Sequence, residues 1–234
     1  MKPFWPAALM LICAIACPAN AQVRVLIASS TQTPTDIGGQ GYAYELTQAI
    51  AHRAGYTRDF ERMPWARALS IAEAGPDVLL LSVVRTPARE SHFQWLIPLL
   101  EDDYVLVSQQ PIDLETVSQR TIGVLRGSVV IELAKHLGYT HLDIAGDDQQ
   151  NLQRLRTGRC DVWMVGRVPG LALIRRSGLK AADFYFSPSL QHLDVYLAAS
   201  LDFDRVEARR WQAAYEAIRI DGTLNAIRRR YQIE

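Results

Sequence analysis

Cysteine is scarce in this chain: three in 234 residues, with Cys13 and Cys17 in the N-terminal segment and Cys160 alone beyond it. If that segment is removed, no intrachain disulfide can form, so a packed core has to hold the fold. Net charge is missing as well, since 25 basic residues balance 25 acidic ones. That balance excludes the basic footprint of a nucleic-acid-binding protein. After the N-terminal segment no stretch approaches the roughly 20 apolar residues of a membrane-spanning helix. No fixed-period repeat or low-complexity tract occurs, which excludes a solenoid. His52, His92, His136, His141 and His192 are scattered, with no i, i+4 pair and no nearby thiols, so no metal site and no cofactor are expected. Gly38-Gly39-Gln40-Gly41 lacks the G-x-G-x-x-G spacing of a dinucleotide turn and reads as a loop.

What is present begins with a leader. Residues 1–21 carry one basic residue, Lys2, an apolar run from Ala7 to Cys17, and the small-x-small close Ala19-Asn20-Ala21. This is the pattern of a secretory signal peptide cut before Gln22, and it implies a periplasmic protein. A retained membrane anchor is disfavoured because the run is short and broken by Pro18. A variant with Cys17 as the lipidated first residue has small residues before it but no Leu. Cleavage at 21 leaves 213 of the 234 residues, with 24 basic and 25 acidic side chains once Lys2 is gone. At 49% hydrophobic residues, that length is ample for a core.

The pattern then alternates. Residues 23–28 read as a strand, 29–41 as a loop, 42–54 as a helix stopped by Gly55, 64–74 as a second helix and 77–84 as a strand buried on both sides. Residues 121–125, 127–137 and 141–145 repeat strand, helix, strand. Asp147 then caps a helix carrying Leu152 and Leu155, Gly158 ends it, and 161–165 is the next strand. Such alternation predicts parallel pairing. The β-rich runs 104–108 and 195–199 flank this second unit, and the chain is expected to leave and re-enter the first unit near them. Residues 203–220 and 221–231 read as two helices split at Asp221-Gly222.

Five short motifs, in order, carry a resemblance over nearly the whole of the chain after the leader. They are Gly41-Tyr42 with Glu45-Leu46; Asp77-Val78 leading to Arg85-Thr86-Pro87-Ala88-Arg89-Glu90 and Phe93; Val124-Leu125-Arg126-Gly127-Ser128; Gly158-Arg159-Cys160-Asp161; and Asp221-Gly222-Thr223 with Tyr231. Together they resemble the amino-acid-type periplasmic solute-binding proteins of ABC transporters. The resemblance implies an α/β fold of two Rossmann-like lobes joined by a double crossover hinge, closing over a ligand. Lobe 1 would comprise residues 22–108 and 195–234, and lobe 2 residues 109–194. It also implies a monomer that binds an amino-acid-like solute or organic anion and docks on an inner-membrane permease or a receptor.

Within that frame Arg89 stands three residues after Thr86, where the family binds its ligand's carboxylate; a guanidinium fork suits that task. Gly127 and Ser128, between a strand and a helix, could offer backbone amides and a hydroxyl to an anion, or simply cap the helix. Trp65 could stack on the ligand or pack in the core, with Tyr42 or Tyr44 assisting. Ser82 is the remaining hydroxyl on the 77–84 strand. Two positions depart from the family: Val84 and Gly166 stand where relatives that bind α-amino acids place a hydroxyl and an ammonium-pairing Asp. Unless an acid such as Asp36 substitutes, the ammonium partner is missing. With Arg85, Arg126 and Arg167 near the same elements, an anion-dominated ligand is expected. An enzyme on this scaffold would need a cleft carboxylate, for which Glu45, Glu90 and Asp161 are the candidates.

Overall fold

The computed structural model describes residues 23–29, 39–231 and 233. The leader, Cys17 and Asp36 lie outside the described residues.

The first strand, β1 (Arg24–Ala28), states the logic of the fold. Val25 and Ile27 point into one core and Leu26 and Ala28 into another, the period of two expected of a strand covered on both faces. Helix α1 (Gly39–Arg53) lays Leu46 and Ile50 on the first core. Strand β2 (Glu61–Met63) pairs parallel to β1 at the edge, where Arg24 and Glu61 form an ion pair at 2.6 Å. Helix α2 (Trp65–Ala74) covers the opposite face with Trp65, Ala68 and Ala72, and β3 (Val78–Val84) pairs parallel to β1.

A second set follows: β5 (Ile122–Leu125), α3 (Val130–His136), β6 (Leu142–Ala145), α4 (Asp148–Arg156), β7 (Val162–Gly166) and α5 (Arg167–Arg176). Asp147 caps α4 as the sequence predicts, its carboxylate accepting the Gln150 N–H at 2.8 Å. On β7, Val162 and Met164 enter one core while Trp163 and Val165 enter the other. Cys160 is sealed in that last core at 1% exposure, and burial pushes its thiol up to about 11.

The strands form one sheet in the order β2-β1-β3-β9-β4-β7-β5-β6, with the short β8 (Tyr185–Phe186) against β4. It is mixed rather than parallel throughout. Strand β4 (Phe93–Ser108, 16 residues) runs antiparallel to β9 (Gln191–Ser200, 10 residues) from Phe93↔Ser200 to Tyr104↔Gln191. Its last part, Tyr104 to Val107, pairs on its other edge with β7. One strand therefore carries the chain from the first half of the sheet to the second, and β9 brings it back: a double crossover. The runs 104–108 and 195–199 are ends of these longer strands. Helices α6 (Arg205–Ile220) and α7 (Thr223–Tyr231) close the first core with Trp211, Ile218, Leu224 and Ile227. Asp204 caps α6, accepting the Val206 and Glu207 N–H groups at 2.8 and 2.9 Å.

Candidate ligand-binding site

Ala28, Val84, Leu125 and Gly166 end β1, β3, β5 and β7, and all four line one cavity of about 120 Å³ where the two halves of the sheet meet. The carboxyl ends of parallel strands are where open α/β sheets hold ligands. The space accommodates several waters or one small solute. Its lining is mainly apolar, with few polar groups: Arg89, Ser82, Tyr104, Ser128, Asp102 and Asp148. That composition, a greasy wall with a few convergent polar groups, is typical of small-molecule sites.

Arg89 ends the 3-10 turn Pro87–Arg89 that follows β3, its N–H bonded to the Thr86 carbonyl at 2.9 Å. The side chain is buried at 8% exposure; Nη2 donates to the Gly127 carbonyl at 3.1 Å, and the guanidinium carbon lies 5.9 Å from the Trp65 ring centre. Among the described residues, no carboxylate lies within ion-pair distance of it. Burial pulls its pKa below the usual guanidinium value. An unpaired buried cation is costly, and an anionic ligand would satisfy it.

Trp65, the first residue of α2 after Pro64, lines the cavity and donates from Nε1 to the same Gly127 carbonyl at 3.2 Å. Gly127 therefore offers the first half of the sheet an acceptor. The helix expected to start at 127 begins at Val130, so Gly127 and Ser128 belong to a turn. The Ser128 N–H is used by the Leu125 carbonyl at 3.1 Å, and the Ser128 hydroxyl oxygen accepts the Val130 N–H at 3.4 Å. Ser128 still lines the cavity, next to the hydroxyl of buried Tyr104, which burial pushes up to about 12. Tyr104 and its strand neighbour Asp102 were not among the residues singled out from sequence.

Ser82 also lines the cavity, in a left-handed conformation (φ 63°) inside β3, where the register against β9 shifts between Leu80 and Val83. For a non-glycine residue this costs roughly 1–2 kcal/mol, and such strain concentrates at ligand sites. The Thr86 hydroxyl is buried without a hydrogen-bond partner among the described residues, but Thr86 lies outside the cavity lining. Arg126 is exposed and also outside it. So are Arg85, ion-paired to Glu90 at 2.6 Å and stacked by Trp95 and Tyr196, and Arg167, which donates to the Ser187 carbonyl at 2.9 Å. Tyr42 is in the core against Tyr231, and Tyr44 packs on Phe60.

The expectation that the cleft lacks an acid is corrected. Asp102, 9% exposed, lines the cavity beside Gly166; its carboxylate accepts the Asp103 N–H at 2.8 Å and the Val168 N–H at 3.1 and 3.2 Å. Desolvation pushes its pKa up to about 6. Asp148, half-buried, accepts from Asn151 Nδ2 and Trp163 Nε1, both at 3.1 Å, and burial raises its pKa as well. The cavity thus holds one arginine and two acids, not a cluster of arginines. The three acids considered for chemistry all lie outside it. Glu45 accepts from Arg230 and, at 2.8 Å, from the Tyr231 hydroxyl; Glu90 holds Arg85; and Asp161 accepts the Thr121 N–H at 2.8 Å. Among the described residues no group of acids, histidines and cysteines could hold a metal ion, and no helix is long and apolar enough to cross a membrane.

Solved structures share this architecture. A histidine kinase sensor domain with similarity to periplasmic binding proteins superposes with a TM-score of 0.76 at 23% identity, covering 90% of this chain and 96% of that one. An ancestral arginine-binding protein bound to glutamine gives 0.77 at 18% identity, over 91% and 98% of the two chains. An ABC uptake transporter substrate-binding protein from Streptococcus pneumoniae with bound histidine gives 0.75 at 16% identity, over 89% and 92%. No curated protein matches the sequence significantly. The family model of the bacterial extracellular solute-binding proteins, family 3, matches residues 29–234. Those residues include every strand, helix and cavity residue described above except β1 and its Ala28, and the chain belongs to that family of binding proteins.

Proposed function

We propose that this protein binds a small carboxylate-bearing solute in the cavity between the two halves of its sheet, in the periplasm, and delivers it to an ABC-type permease of the inner membrane. The observation that carries the reading is Arg89: a buried guanidinium at the cavity wall with no carboxylate partner among the described residues. Two parallel charge-assisted hydrogen bonds to a solute carboxylate would complete it. Residues 22–108 with 195–234 would form one lobe and 109–194 the other, swinging on β4 and β9. The Trp65–Gly127 hydrogen bond would hold the lobes together in the closed state, and Ser82 and Ser128 would contact the solute.

A thermal-shift screen of the protein from Gln22 onward, against amino acids, polyamines, organic acids and aromatic acids, tests the ligand class. A compound that binds only the native state raises the melting temperature by mass action. Carboxylate-bearing compounds should give the shifts, and Arg89→Ala should remove them. Shifts only from compounds without an acid group would overturn the reading. Delivery is tested in cells, where deleting the gene should abolish accumulation of the identified solute. Unchanged accumulation with loss of a signalling response would assign the partner as a receptor.

A further inference from the structure

A solute anion on Arg89 leaves Asp102 unexplained. Its carboxylate is buried at the cavity wall and, among the described residues, has no cation within ion-pair distance. The register of β4 against β7 sets Tyr104 opposite Gly166, which places Asp102, two residues earlier, over the first turn of α5. Gly166 is the cap residue of α5 and has no side chain to offer the helix; Asp102 supplies the acceptor from the neighbouring strand by taking the Val168 N–H. The two positions compete for one space. A Cβ on residue 166 would lie 2.6 Å from Asp102 Oδ2 and 3.0 Å from Pro169 Cγ, closer than real contacts allow. Glycine at 166 is therefore what admits the Asp102 carboxylate to the cavity wall.

We propose that Asp102 recognises a cationic group on the solute, so that the ligand is a zwitterion whose carboxylate meets Arg89 and whose ammonium meets Asp102. The assignment rests on the carboxylate reading of Arg89. A carboxylate already oriented by backbone N–H groups, in a mainly apolar cavity, discriminates strongly, since the neutral analogue leaves it buried and unpaired. A purely capping role would instead need only an acceptor for Val168.

Calorimetric titration of the protein with the L-amino acids and with their deaminated counterparts separates these roles, pairing phenylalanine with 3-phenylpropanoate, leucine with 4-methylpentanoate and glutamate with pentanedioate. At least one amino acid should bind, and at least 100-fold more tightly than its deaminated partner. Asp102→Asn keeps the acceptor and the shape but not the charge, and should reduce that preference to within about threefold. Asp102→Ala with Gly166→Asp, which moves the carboxylate to the other address, should restore it to within tenfold of the original. Deaminated acids binding as tightly as amino acids, or Asp102→Asn retaining amino-acid affinity, would overturn the Asp102 assignment and leave Arg89 as the anion site. Failure of the double variant to regain the preference would overturn the shared-site argument. Binding by neither series would overturn the carboxylate reading itself, and this inference with it.

Discussion

Arg89 and Gly127 are joined by a single hydrogen bond of 3.1 Å between the two halves of the sheet, and the Trp65 indole shares its acceptor at 3.2 Å. Gly127 also abuts α2, since a Cβ there would stand 3.1 Å from the Ala66 Cβ and 3.3 Å from its Cα. Its φ of 72° is one that other residues adopt only at a cost of roughly 1–2 kcal/mol. Gly127→Ala should therefore lower stability by about that amount and also weaken solute binding, because the added methyl holds the two halves apart. Thermal melts and calorimetry read both effects. Unchanged affinity would show that this contact does not form part of the bound state.

Arg89→Ala should reduce affinity for a carboxylate solute at least 100-fold, as the loss of two charge-assisted bonds at roughly 1.5–3 kcal/mol each requires. Stability of the empty protein should change little or rise, because the side chain removed is a buried cation lacking a carboxylate partner among the described residues. Denaturant melts of the empty protein distinguish this from a structural arginine, whose loss would destabilise it.

Asp102 makes stability and binding depend on pH in opposite directions. Its carboxyl titrates at about 6 in the fold against 3.8 ordinarily, with desolvation as the main cause, opposed by the Asp103 and Val168 amides and by Arg167. The folded state thus holds the proton more tightly than the unfolded one. The resulting stabilisation is complete below pH 4 and is lost as pH rises through 6. Asp102→Asn should accordingly stabilise the empty protein at pH 7.5 by about 1–3 kcal/mol, and the gain should vanish near pH 4. An ammonium on the solute needs the ionised form, so amino-acid affinity should fall as pH drops through 6. Asp103, Arg167, Arg89, Tyr104 and Asp148 surround this group, and burial raises the Asp148 carboxyl as well, so the difference between the wild type and Asp102→Asn isolates the Asp102 contribution. Melting and titration series from pH 4 to 8 follow both trends.

Sequence made the local units legible and left the long-range ones obscure. The alternation in β1, the Asp147 cap and the glycine stops after helices are short-range signals, and each appears where expected. The first eleven residues of β4 were missed because Pro98 and the acidic run Glu101-Asp102-Asp103 look unlike a strand. The fold tolerates them with Pro98 exposed and register shifts at Trp95/Ile97 and Pro98/Leu100. Helix α5 hid behind Pro169 and Gly170; the first sits in the opening turn, and the second packs where a Cβ would lie 2.8 Å from Val165 Cγ1. Of the cavity lining, Arg89, Trp65, Ser82, Ser128 and Gly166 were named from short motifs or from their place on a strand. Asp102 was not, because its nearness to Gly166 arises from a strand pairing between residues more than sixty positions apart.

Ser82 holds a left-handed backbone in the middle of a strand. Ser82→Gly should be neutral to stabilising by up to about 1 kcal/mol, since relief of strain is offset by the entropy of a freer unfolded chain. Ser82→Val should cost more than 1 kcal/mol, because branching at Cβ suits a positive φ least. If the hydroxyl touches the solute, Ser82→Gly will also weaken binding. Paired melts and titrations on the two variants measure each contribution.

Cys160 lies locked among Leu152, Leu155 and Trp163, with its proton held up to about 11. Thiol reagents act on the exposed, ionised form, so a maleimide dye will pass this position over. A single cysteine introduced on the outer face of α3 or α6 of the protein from Gln22 onward would therefore take the label alone, giving an optical test of the proposed lobe closure without first mutating any native residue.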